Sequence, residues 1–273
     1  MAELANTGTY RLFRYRRVNS YLFRSLIRKE IYFAPPSSLN DPFDCQVNVS
    51  QAFEIAANLV QGQAKENLQK VISIPGFLAH VQAQVASIGV ASFSLEIDNP
   101  TLWSTYADEH RGVCLLYEFP ERFFIERADT LLGTDTVKYK SSAISHWLAE
   151  TAPSIQTMQT QEFVMELSKI LMTAKDPSWK TEGEYRILSA SAGPHEIGKP
   201  FLKQVCFGLR TSLRDRCRIG EILLTSGYEV SLCEMERCKE SDFGIRARPY
   251  EVARHNLIDR LFCLKQRISA SFG

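Results

Sequence analysis

Long apolar runs are missing from this 273-residue sequence, and so is any excess of charge of one sign. No stretch reaches the roughly 18 uninterrupted apolar residues that a membrane-spanning helix needs, so no spanning helix and no membrane partner is expected. Lys and Arg number 32 against 31 Asp and Glu, a net charge of +1. No global field therefore points to nucleic acid or to an anionic membrane surface, and either partner would need a local patch. The seven cysteines are odd in number, scattered, and contain no Cys-x2-Cys pair, which speaks against a disulfide framework and a structural zinc site and for free thiols. A Walker A sequence, a G-x-G-x-x-G loop, internal repeats and low-complexity tracts are also missing. The first residues, Met-Ala-Glu-Leu-Ala-Asn-Thr-Gly, have neither a basic region nor an apolar one, so the expected location is cytoplasmic.

What is present is a 45% hydrophobic content, enough for a sizeable core. Residues 10–16 alternate as an opening strand, and Asn19 or Ser20 can cap a helix through Arg28 with Leu22, Phe23, Leu26 and Ile27 inward. A helical insert at about 50–87 reads as a hairpin broken at Pro75-Gly76. Further strands are expected at Ile88–Leu95, Val113–Phe119, Thr134–Lys140 and Lys203–Leu209, around Glu229–Arg237 and around Gly244–Tyr250. Helices are expected over 141–173 and 252–266. Strands and helices do not alternate strictly. The pattern predicts a single α+β domain over 1–273 with a mixed or mainly antiparallel sheet flanked by helices.

Chemistry concentrates between Lys175 and Leu188, Lys-Asp-Pro-Ser-Trp-Lys-Thr-Glu-Gly-Glu-Tyr-Arg-Ile-Leu. Read as a strand from Glu182, this stretch puts Glu182, Glu184 and Arg186 on one face and Tyr185 and Ile187 on the other. On a solvated edge that face is a charged ladder. In a cleft the two carboxylates raise one another's pKa while Arg186 lowers both, which poises a group for chemistry. The turn Asn40-Asp-Pro-Phe-Asp44 is either a rigid corner or, with Lys175 and Trp179, the frame of a pocket whose edge carries Asn40, Asp41 and Asp44. Ser92 and Ser94 share one face of their strand. A capped helix opening near Pro100 carries Trp103 and Tyr106 on one face with His110 four residues further on; Trp103 reads as core, while the polar tips of Tyr106 and His110 need partners if buried. Arg210, Arg214 and Arg218 form a stripe if Thr211 or Ser212 opens a helix, fitting phosphates or a solvated face.

Three motifs in order, Asn40-Asp-Pro-Phe-Asp44, Trp103-x2-Tyr-Ala-x2-His-x-Gly-Val-Cys114 and Lys175-x3-Trp-x2-Glu-x-Glu-Tyr-Arg186, resemble the bacterial domain-of-unknown-function family numbered 2971, with Asp44 where Glu is common. That family implies no activity. A second resemblance is to the ADP-ribosyltransferase superfamily, through an Arg on the first strand (Arg14, or Arg11), Ser92 and Ser94 or Tyr106 in the middle, and Glu182-Gly-Glu184 late. It implies NAD as substrate and no metal. Arg14 would hold phosphate or ribose, Tyr106 or Trp103 would stack on nicotinamide, and His110 and Arg186 would lie in the same NAD site. Glu184 would stabilise the oxocarbenium-like charge, and Glu182 would serve a nucleic-acid or protein acceptor in a defence or toxin setting. Two other readings stand beside it. One is a metal-dependent nuclease or phosphoesterase built on Asp41, Asp44, Glu182, Glu184 and Lys180. The other is a non-enzymatic ligand- or partner-binding module.

Overall fold

The alternation at the start of the chain folds as expected: in the computed structural model, which describes residues 8–250, β1 is Thr9–Arg16. The Asn19 side chain accepts the Leu22 amide and opens α1 (Ser20–Arg28), which β2 (Glu30–Phe33) follows. Next come α2 (Val49–Leu59), α3 (Gly62–Ile72), α4 (Phe77–Ser87), β3 (Gly89–Ser94), α5 (Pro100–Thr105), β4 (Val113–Pro120) and α6 (Glu121–Ile125). They lead to β5 (Leu131–Thr136), β6 (Lys138–Tyr139), α7 (Ala143–Thr151), α8 (Thr160–Thr173), β7 (Ala174–Lys175) and β8 (Glu184–Ser189). The described chain closes with β9 (Gly193–Glu196), β10 (Leu202–Phe207), α9 (Leu213–Thr225), β11 (Ser231–Arg237) and β12 (Ile245–Pro249). The helix expected over 252–266 lies outside the described residues.

Strand pairing is mixed, as the α+β reading requires. β10 runs parallel to β11, whereas β1–β4, β4–β10, β11–β12 and β5–β8 are antiparallel. The chain forms two compact units, each assembled from separated segments. Over the described residues the first comprises 8–31, 93–125 and 194–250; the second comprises Tyr32–Ser92 and Glu126–Gly193.

In the first unit the strand order is β12-β11-β10-β4-β1, and Phe13 pairs with Ser94 at the end of β3. Register lines up Tyr15, Cys114, Cys206 and Cys233 across four neighbouring strands, and these pack with Trp103 and Met235 in one core. Helix α1 packs against α9, where the Tyr228 hydroxyl donates to the Leu26 carbonyl. Leu22 and Leu26 are buried as expected, but Ile27 is exposed, because a nine-residue helix turns only a narrow stripe inward.

In the second unit β3 neighbours β8 and β8 neighbours β5. Its core joins Phe53, Phe77, Leu148, Phe163 and Leu167 from α2, α4, α7 and α8. The helical insert is three helices rather than a hairpin. The chain breaks at Val60-Gln61 as well as at Gly76, whose φ of 79° lets it enter α4 from the left-handed region.

Candidate functional site

The third motif enters the second unit through β7, where Tyr139↔Lys175 is a parallel pair. Asp176 then caps a short 3-10 helix over Pro177–Glu182 by accepting the Ser178 amide at 2.9 Å. Gly183, at φ 52°, reverses the chain into β8. Glu182 is therefore not on the strand, as alternation predicted, but on the turn before it. The left-handed glycine brings it back to the same place. The Asn40–Asp44 segment is a turn as expected: the Asp41 carboxylate accepts the Phe43 amide, and the Asp44 amide donates to the Asp41 carbonyl. The turn directs Asp44 inward and leaves Asn40 exposed.

Arg186 is the hub. Its Nε and Nη2 donate to the two oxygens of Glu184 at 2.7 and 2.9 Å, and its Nη1 and Nη2 donate to the two oxygens of Asp44 at 2.9 and 2.6 Å. Nη1 also donates to the Met172 carbonyl at 2.7 Å and approaches the Cys45 sulfur at 3.2 Å. A guanidinium presents five N–H donors in a fixed fork, and both edges of this one grip a carboxylate. Lys175 Nζ donates to Glu182 at 2.6 Å and to Glu184 at 3.0 Å, lies 3.6 Å from Asp44, and sits 4.8 Å over the Trp179 ring. Tyr139 Oη accepts the Glu184 amide, and Ser92 on the neighbouring strand donates to the Glu184 carboxylate. The five charged residues are only 0–7% exposed.

Burial by itself would raise the Glu184 pKa, yet the charge and hydrogen bonds of Arg186, then Lys175 and Ser92, hold this carboxyl at about 2. The same balance raises Lys175 and Arg186: burial works against their charged forms, and the surrounding carboxylates outweigh it. Burial raises the Cys45 thiol against the pull of Arg186 and keeps it protonated. Three carboxylates, those of Asp44, Glu182 and Glu184, face two cations, Lys175 and Arg186. The two cations occupy the space between the carboxylates, and among the described residues no cluster of His, Cys, Asp or Glu has the arrangement of a metal shell.

The remaining candidates lie in the first unit. Arg14 on β1 sits 5.4 Å over the Phe93 ring, and burial followed by the neighbouring Arg16 charge lowers its pKa to about 9, partly opposed by Tyr117. Ser94 is buried and accepts the Glu96 amide. Trp103 is core: fully buried, it meets Tyr15 edge-on, stacks with His110 and donates to the Ile97 carbonyl, so neither ring face is open to a ligand. Helix α5 stops at Thr105, and Tyr106 is its C-cap. His110 is consequently not on a helix face. Asp108, Glu109 and His110 form a left-handed turn with φ values of 51°, 52° and 69°, and burial followed by Arg210 lowers the His110 pKa. The arginine stripe forms only in part, with Arg214 and Arg218 four residues apart and exposed on α9. Arg210 precedes α9, which Ser212 caps; Arg214 is exposed, and Arg218 lies over Phe23. The buried arginine of that helix is Arg216, paired with Glu234 at 2.5 Å, and its position on the inward face of α9 was the available signal.

Residues 102–187 match the model of a family described as "Protein of unknown function (DUF2971)". The match takes in the second and third motifs. No curated protein and no solved structure matches the chain.

Proposed function

Residues 102–187 match a family whose function is unknown, and from the chemistry of the site we propose that the chain cleaves NAD at the nicotinamide glycosidic bond, for transfer or hydrolysis. The observation that carries this is Glu184. It opens β8, is held ionised by a pKa of about 2, and takes a hydrogen bond from Ser92 on the adjacent strand. A carboxylate that stays charged at neutral pH is no general acid. It is suited to stabilising the positive charge that grows on a ribose as its glycosidic bond breaks. Glu182, two residues earlier and tied to Lys175, is the group placed to orient an acceptor. That acceptor is a nucleic acid or a protein, and Arg214 and Arg218 are exposed on α9 of the first unit.

A second reading, a binding module without turnover, draws on the closure of the network, in which every charged group already has partners. One experiment separates the two. Purified protein is incubated with NAD, with and without EDTA and with a mixture of RNA, DNA and protein, and nicotinamide release is followed by chromatography. The expected result is EDTA-resistant release that falls about 10²–10³-fold in a Glu184→Gln protein whose circular dichroism shows it folded. No release, with no NAD-induced rise in melting temperature, would sink the enzymatic reading and leave the binding module.

A further inference from the structure

The second unit holds a cavity of about 230 Å³ that the charge network does not use. Helix α8 lines it through Glu166, Lys169 and Ile170, β5 through Gly133 and Asp135, and α7 through Trp147. The wall at β5 is irregular. Its register with β8 shifts between Leu131 and Gly133, and Gly133 adopts a φ of 148°. A bulge of this kind turns a strand away from its ladder and is over-represented beside binding sites.

The lining has a definite charge pattern. Lys169 pairs with Glu166 at 2.9 Å and Lys138 with Asp135 at 4.0 Å; both pairs are about half exposed at the cavity edge, while Trp147, Ile170 and Leu188 supply apolar surface. Exposed pairs of this type contribute little to stability, so their charges can turn to a ligand at small cost. Two cations and two anions repel neither sign overall, which gives a phosphorylated ligand no advantage. Four charges at the edge make a purely apolar ligand a poor match. The volume lies below the range of about 300–1,000 Å³ typical of drug-sized sites, so the occupant is small.

We propose that this cavity binds a small zwitterion of the free α-amino-acid class. Its carboxylate faces Lys169 or Lys138, its ammonium faces Glu166 or Asp135, and its apolar side chain lies against Trp147. The site is separate from the Glu184 network and stands whether or not NAD is cleaved.

The test uses the full chain in thermal-shift and calorimetric titrations with free amino acids at millimolar concentrations, the same compounds blocked as N-acetyl or methyl-ester derivatives, and nucleosides. Amino acids with bulky apolar side chains are expected to raise the melting temperature, and blocking either end is expected to weaken binding at least about tenfold. Lys169→Glu and Lys138→Glu alter half-exposed side chains and should keep the fold while losing the response. Blocked derivatives that bind as well as free ones, nucleosides that bind in their place, rim variants that respond like the parent, or no response to any amino acid would each overturn the proposal.

Discussion

Glu184 ties the stability of the second unit to pH. Its folded pKa of about 2 lies below the ordinary value of 4.5. A depressed carboxyl contributes stability that is fully present above the unfolded value and is lost as pH falls through the folded one. Melting temperature should therefore drop steadily between about pH 4.5 and pH 2, and Glu184→Gln should flatten that limb. Equal slopes in the two proteins would place the acid sensitivity elsewhere. At this scale the sequence was half legible. Glu182, Glu184, Arg186 and Lys175 stand within one window, but Glu182 reaches the cluster from the turn through Gly183 and not by strand alternation. That Asp44 grips the far edge of Arg186 had no local signal, because the two are 142 residues apart. Cys45 and the Met172 carbonyl were missed for the same reason. Lying near a motif says nothing about which backbone oxygen a guanidinium will find.

Element boundaries were legible wherever a cap or a turn residue marks them. Asn19 and Ser212 open their helices as read, and β1, β4 and β10 fall within a residue or two of their alternating stretches. The failure was between α5 and β4, where helical spacing was carried through residues 106–111. Of the three successive left-handed residues there, Asp108 and His110 are types enriched at positive φ, but Glu109 between them is not, and the run reads as readily as a helix surface. What sustains the turn is close backbone packing. A Cβ on Gly112 would lie 2.2 Å from the Arg16 carbonyl oxygen, and one on Gly208 would lie 2.2 Å from that of His110. Gly112→Ala must push β1 away from the turn, and a loss at or above the about 1–3 kcal/mol of ordinary overpacking is expected in urea unfolding. An unchanged midpoint would mean that the turn relaxes freely.

At the scale of the molecule, the two units are interleaved in sequence rather than strung end to end. The first unit needs β10, whose edge pairs with β4 and whose other side pairs with β11, so the chain up to Ile125 holds only part of one sheet. A fragment ending at Ile125 should therefore show no cooperative thermal transition by circular dichroism, whereas the full chain should show one. A cooperative fragment would mean that β1 and β4 suffice with α1 and α5. The α+β class was readable because helices and strands did not alternate, but the interleaving was not, since it depends on which distant strands pair.

That interleaving also fixes an order of events during synthesis. The described unit that begins at Tyr32 has its last residue, Gly193, out of the ribosome while the unit holding β1 still awaits β10, β11 and β12. The unit whose segments open and close the described chain is the one finished last, and once β3 and β4 have emerged β1 is flanked on both sides while β4 still awaits β10. Until then β4 presents a row of unpaired backbone N–H and C=O groups, the kind of edge that chaperones cover and neighbouring nascent chains can join.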